Sequence, residues 1–188
     1  MLKWLRGARI LCATTWVACA EQRQPYLGGW PQDACAEDTV GMGHGVGQVA
    51  RDFALVDPYG EAVHLHDFCD HQVALVAAAA WCEPCLVEAP ELGEVAETYE
   101  EEGLLLVVLM GENRAGDVPD VDDLGSWAVN YGGHGNVIVL SDPGFATVAD
   151  FEPSGFELPT MELINRESRV WAVGQRPLDF DFGPFVAD

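Results

Sequence analysis

At 188 residues with 49% apolar side chains, the chain can bury a real core in one domain, and global disorder is excluded. Nine basic residues stand against 31 acidic ones, a formal net charge of −22. Such a surface repels phosphate backbones and argues against nucleic-acid binding.

Three of the basic residues, Lys3, Arg6 and Arg9, open the chain, and Ile10 to Ala18 form a short apolar run behind them. This is the pattern of an export signal over residues 1–20. Two processing readings compete. Ala18-Cys19-Ala20 is an A-x-A site with cleavage before Glu21, whereas Val17-Ala18-Cys19 resembles a bacterial lipoprotein box with Cys19 acylated, although Trp16 stands where that box usually has leucine. Either way the expected location is exported, periplasmic or lipid-anchored at the cell envelope. The apolar run is too short to span a bilayer. Residues 21–47 are rich in glycine and proline and read as an irregular lead-in. The Gly41-x-Gly43-x-Gly45-x-Gly47 series lacks the lysine and the preceding strand of a phosphate-binding loop.

Regular patterning begins near Val49. Phe53–Val56 and Ala62–Leu65 read as a hairpin around the Asp57–Gly60 turn, and Asp67 is placed to cap a short helical turn. Val73–Ala80 is apolar without alternation, which predicts a central strand covered on both faces. A helix follows over Glu83–Glu101, its apolar residues Ala89, Leu92, Ala96 and Tyr99 spaced by three and four, with a kink expected at Pro90. Leu104–Met110 is a second buried strand. The acidic Asp117–Asp123 loop lacks the glycine and terminal glutamate of a calcium-binding EF-hand. A helix over Val121–Tyr131, a strand over Val137–Leu140, a short helix over Pro143–Phe151 and a hairpin of Thr160–Asn165 with Arg169–Val173 complete the pattern. Alternating strands and helices followed by a hairpin indicate an α/β domain with a mixed sheet over residues 48–188, including a C-terminal tail.

Six cysteines are present. Cys12 leaves with the signal and Cys19 is removed or acylated, so four remain. Cys82 and Cys85 form a CxxC at a strand-to-helix junction, where unpaired backbone N–H groups favour a thiolate, the form that attacks a disulfide. Pro84 has no N–H to leave unpaired there. No second CxxC or paired His/Cys motif exists to complete a zinc site, so no metal is assigned. If Cys82 pairs with Cys85, Cys35 and Cys69 are left as a structural disulfide. His64, His66 and His71 with Cys69 are the other metal-like grouping, and surface histidines are the better reading.

Trp81, Cys82, Pro84 and Cys85 after a buried strand, Pro90 five residues beyond the second cysteine, and Pro159-Thr160 opening a terminal hairpin resemble thioredoxin. The sequence Cys-Glu-Pro-Cys, Glu88 three residues after Cys85, and room before Pro159 for an extra strand and helix make it most similar to the exported TlpA/ResA-like redoxins of AhpC/TSA type. The resemblance spans about 48–175 and implies a thioredoxin fold: a mixed central sheet flanked by helices, with an N-terminal β-hairpin extension and an inserted strand–helix unit. It leaves the tail from Gln175 unmatched.

The resemblance also implies roles. Cys82 is the more exposed nucleophile and Cys85 the buried resolving thiol. Pro159 is cis, with the Leu158–Pro159 backbone receiving the substrate chain beside Thr160. Trp81 shields the disulfide, and Trp81, Glu83 and Pro84 border the substrate. Glu88, one helical turn past Cys85, exchanges protons with it. Thioredoxin's buried aspartate is replaced by Val76. Glu83 opposes the helix field at Cys82 and raises its thiol pKa. The expected activity is reduction or exchange of protein disulfides, with no cofactor beyond the redox-active Cys82–Cys85 pair and with a membrane-bound electron donor. A thiol peroxidase on the same fold is disfavoured because Ala79 occupies the threonine position of a Thr-x-x-Cys motif. A metal- or haem-delivery module is the non-enzymatic alternative.

Overall fold

The computed structural model describes residues 26–32, 35 and 39–188. The proposed signal, with Cys12 and Cys19, lies outside the described residues. Seven strands form one sheet in the order β2-β1-β5-β4-β3-β6-β7, comprising β1 (Ala54–Val56), β2 (Ala62–His64), β3 (Gln72–Ala79), β4 (Leu104–Glu112), β5 (Val137–Ser141), β6 (Thr160–Ile164) and β7 (Val170–Gln175). β3, β4 and β5 run parallel, β6 is antiparallel to β3, and hairpins close both edges. The helices are α1 (Glu83–Thr98), α2 (Val121–Ala128), α3 (Ala146–Phe151) and α4 (Gly183–Val186). This is the thioredoxin fold, with β1–β2 as the N-terminal hairpin and β5 added beside β4.

The absence of alternation in β3 has a simple cause. Every residue of the strand is buried, and successive side chains supply two cores. Ala74, Val76 and Ala78 face α1 with Ala89, Leu92 and Ala96, while Val73, Leu75 and Ala77 face Leu65, Phe68, Ile138 and Phe151 on the other side. Against the first core, Gly93 lets α1 press onto the turn after α2. A Cβ there would lie 2.3 Å from the Tyr131 carbonyl oxygen. Asn136 locks the same corner, its Nδ2 donating to the carbonyls of Ala96 and Leu104.

Several boundaries differ from the sequence reading. α1 stops at Thr98 rather than Glu101, because the chain turns through Glu100–Gly103 with Gly103 at φ +80°. It runs as one helix through Pro90. β4 continues to Glu112, and the second predicted helix changes to a 3-10 turn at Val129–Tyr131. Asp67 caps the short turn, as expected, but from its third position and not from its N-cap. It ends the 3-10 turn Leu65–Asp67 and its Oδ2 accepts the His64 N–H. Part of the lead-in pairs with the domain, through bridges between Gly43 and Ala50 and between Val49 and Arg169.

The tail that resembled nothing is integral to the core. Phe182, Phe185 and Val186 are buried against the α1 side of the sheet, and Trp171 of β7 stacks near Phe180 and Phe185. Among the described residues no helix is long and apolar enough to cross a membrane.

Candidate active site

β3 ends at Ala79 and delivers Trp81 and Cys82 to the mouth of α1. Cys82 is the N-cap of that helix, with extended backbone, and its sulfur accepts the Cys85 N–H at 3.2 Å. One orphan donor of the first turn, the Cys85 N–H, therefore points at this sulfur. Cys82 and Cys85 are joined in a disulfide with an S–S distance of 2.09 Å. Both are buried, at 3% and 2% exposure, so in the disulfide form the two sulfurs barely differ in exposure. What separates them is access: Cys82 lines a groove whose lining does not include Cys85.

That groove has a volume of about 520 Å³ and is walled by Trp81, Pro84, Phe145, Phe156 and Leu158, with Glu83 and Glu157 also in its lining. Trp81 is 52% exposed, and its indole Nε1 donates to Glu112 Oε2 at 2.7 Å. The tether holds the ring as a wall of the groove. Phe145 reaches this wall from the turn before α3, where it adopts φ +61°. The Leu158–Pro159 peptide is cis. Thr160, next in the chain, is buried and donates its hydroxyl to Glu152 Oε1 at 2.6 Å.

Glu88 is buried on the face of α1 below Cys85, at 8% exposure. Its Oε1 accepts a hydrogen bond from Arg176 Nη2 at 3.1 Å, while its buried Oε2 has no hydrogen-bond partner among the described residues. Burial raises its pKa, Arg176 opposes that rise, and Asp179 and Glu91 add to it. The carboxyl is thus prepared to hold or release a proton closer to neutrality than a solvated glutamate. Val76 is fully buried in β3, so no acid replaces thioredoxin's aspartate from that strand.

Cys35 and Cys69 form a disulfide spanning 34 residues of sequence, with Cα atoms 5.2 Å apart. The Ser168 hydroxyl lies 3.2 and 2.9 Å from the two sulfurs. Cys69 is therefore no thiolate ligand. His64 Nδ1 meets Asp52 Oδ2, His66 Nε2 meets the Ala50 carbonyl, and His71 Nδ1 meets the Cys69 carbonyl. These rings point to separate partners and do not converge.

Sequence reasoning missed Glu112, Phe145, Phe156, Glu152 and Arg176. Arg176 stands in the tail that matched no pattern. Glu162, buried in β6, was also missed.

Fold and site together define a thioredoxin-fold protein carrying a CxxC disulfide at a helix start. The chain belongs to the AhpC/TSA family, whose model matches residues 46–173. It is 29% identical over 125 residues to the thiol-disulfide oxidoreductase ResA of Bacillus subtilis, covering 66% of this chain and 64% of that relative. The chain thus spans just under two thirds of the length of that relative. A ResA of Geobacillus thermodenitrificans is 37% identical over 70 residues, 37% of this chain and 40% of the relative. Among solved structures, a thiol:disulfide interchange protein from Bacteroides sp. superposes with a TM-score of 0.57 at 20% identity, covering 73% of this chain and 86% of the other. The thioredoxin domain of a thiol-disulfide oxidoreductase from Bacteroides vulgatus gives 0.55 at 19% identity, with 70% and 89% covered.

Proposed function

We propose that the protein is an exported thiol–disulfide oxidoreductase that reduces disulfides in other proteins. The observation that carries this reading is the Cys82 sulfur, set on the N-terminus of α1 at the side of an apolar groove, next to a cis-proline loop. In the reduced form, the Cys82 thiolate attacks one sulfur of a substrate disulfide. A mixed disulfide forms, and the other substrate sulfur leaves as a thiolate that takes up a proton. Cys85 then gives its proton to Glu88 and attacks Cys82 Sγ. The second substrate thiol is expelled, and Cys82–Cys85 closes. Two electrons pass to the substrate, and the cysteines are the redox groups, with no further cofactor.

The reducing direction is taken from the family resemblance, and one local charge is in keeping with it. Glu83 in the first helical turn and the acidic surface disfavour the Cys82 thiolate and so the reduced form, which makes the pair a better donor. Re-reduction falls to a membrane-bound dithiol donor. Export rests on the Lys3–Ala20 signal pattern and on Cys35–Cys69, a disulfide suited to an oxidising compartment. Lipidation at Cys19 and cleavage after Ala20 are separated by intact mass of the mature protein.

The test replaces Cys82 with serine and Cys85 with alanine. Cys82→Ser abolishes insulin reduction. Cys85→Ala accumulates mixed disulfides on Cys82, and mass spectrometry of the trapped adducts names the substrates. Peroxide consumption exceeding insulin reduction in the unaltered protein, or undiminished insulin reduction in Cys82→Ser, would overturn the reading.

A further inference from the structure

β6 places Thr160, Glu162 and Ile164 on one face, since alternate residues of a strand share a side. Glu162 is only 3% exposed, and among the described residues no donor completes a hydrogen bond to either of its carboxylate oxygens. The polar groups that face it are the carboxyl of Glu152, at the end of α3, and the Gly174 backbone N–H. On β3, the residue in register is the apolar Leu75.

Glu152 is held by two features. Its Oε1 accepts the Thr160 hydroxyl at 2.6 Å, and its Oε2 lies over Gly174, where a Cβ would stand 3.3 Å from it. Gly174 has φ +67° and sits at a register shift between β6 and β7, where Met161 pairs with Gln175 but Leu163 pairs with Ala172. The extra residue in β7 makes the space in which the two carboxyls meet. Beyond them an open cleft is lined by Glu152, Glu157, Thr160, Gly174 and Arg176. Arg176 is already engaged by Glu88.

A buried carboxylate facing a half-buried one is repelled by it, and neither can donate. One proton between them removes the repulsion and supplies the missing donor. We propose that Glu162, through a proton shared with Glu152, is a positioning residue for Thr160 and hence for the Leu158–Thr160 loop that receives a protein substrate. Glu162 donates to Glu152, Glu152 accepts from Thr160, and Thr160 adjoins the cis peptide. Burial and Glu152 push Glu162 up to about 8, so the proton is in place at neutral pH. When it is lost, Glu152 is driven toward the open cleft, Thr160 loses its acceptor, and the loop is no longer held for the substrate backbone.

This rests on the proposed docking of protein chains beside Pro159, so one arm of the test is independent of activity. Steady-state insulin reduction is followed from about pH 6 to about pH 9 for the unaltered protein, Glu162→Gln and Thr160→Val, with a small aromatic disulfide as a substrate that needs no backbone pairing. In the unaltered protein KM for insulin rises several-fold through about pH 8, beyond any change seen with the small disulfide. Glu162→Gln, whose amide donates at every pH, gives a flat KM. Thr160→Val gives a raised KM at all pH values without a further rise. In parallel, carbon-13 NMR of labelled glutamate carboxyls in the oxidised protein shows one group titrating near pH 8, together with the Thr160 amide, and Glu162→Gln removes both signals. A Thr160 amide that ignores this titration, or no carboxyl titrating above neutrality, overturns the coupling. An identical KM slope in Glu162→Gln overturns its role in docking. If insulin is not reduced while the small disulfide is, the protein-substrate reading fails and the NMR titration still decides the Glu162–Thr160 link.

Discussion

Arg176 reaches across 88 residues of sequence to donate to Glu88 at 3.1 Å, tying the end of β7 to the helix that carries the redox pair. The guanidinium opposes the rise in pKa that burial imposes on Glu88. Arg176→Gln therefore pushes the Glu88 carboxyl higher still. Glu88 must be ionised to take the Cys85 proton, so the resolving step slows at neutral pH and its acid limb moves upward. Single-turnover kinetics over a pH series, with the initial attack monitored separately, check this. A resolving step with the same profile in both proteins would show that Glu88 is not the acceptor.

The raised pKa of Glu162 also makes a statement about stability. The folded protein holds this proton up to about pH 8, whereas the unfolded chain releases it near the ordinary value of 4.5. Between those limits the native state binds more protons than the unfolded state, so stability falls as pH rises through that window. Denaturant midpoints measured from about pH 5 to about pH 8 decline for the unaltered protein. In Glu162→Gln that part of the decline is absent, which separates it from the background of the other carboxyls.

The redox junction was legible because its causes are local. An apolar run without alternation, a CxxC and a proline in the first helical turn lie within thirteen residues, Val73 to Cys85. The order of strands and helices was legible for the same reason, through periodicity. What escaped depends on contacts that no local pattern encodes. Glu88 read equally well as one more acid on an acidic helix, and only the arrival of Arg176 gives it a fixed partner. Glu162 carried no signal of its own, because the bulge at Gly174 and the end of α3 that make room for it are distant in sequence. The aromatic residues of the tail read as unmatched, yet Phe185 is fully buried beside Trp171. Cutting Phe185 to alanine is expected to cost about 3–5 kcal/mol of stability, as for other buried phenylalanines, and thermal unfolding measures it.

Cys35 and Cys69 close a loop with a sequence separation of 34. In the chain-entropy account, opening it relaxes the unfolded state and costs about 3–4 kcal/mol. The double replacement by serine therefore lowers the denaturation midpoint. The bridge is remote in role from the redox pair, so insulin reduction at a temperature where the variant is folded stays near that of the unaltered protein. Lost reductase activity in a folded variant would instead place this disulfide in the electron path.

Trp81 offers the sharpest separation of binding from chemistry. Its ring is half exposed, so its contribution to stability is small, but the 2.7 Å bond from Nε1 to Glu112 fixes its angle over the groove beside Cys82. Trp81→Phe keeps an aromatic wall and removes the tether. Glu112→Gln keeps an acceptor for the indole and changes only the charge. If the wall acts by orienting protein substrates, Trp81→Phe raises KM for insulin several-fold with kcat little changed, Glu112→Gln stays close to the unaltered protein, and a small aromatic disulfide is reduced normally by both. A fall in kcat for the small disulfide as well would mean that Trp81 acts on the sulfur chemistry itself, by excluding water from Cys82, rather than on the docking of the chain.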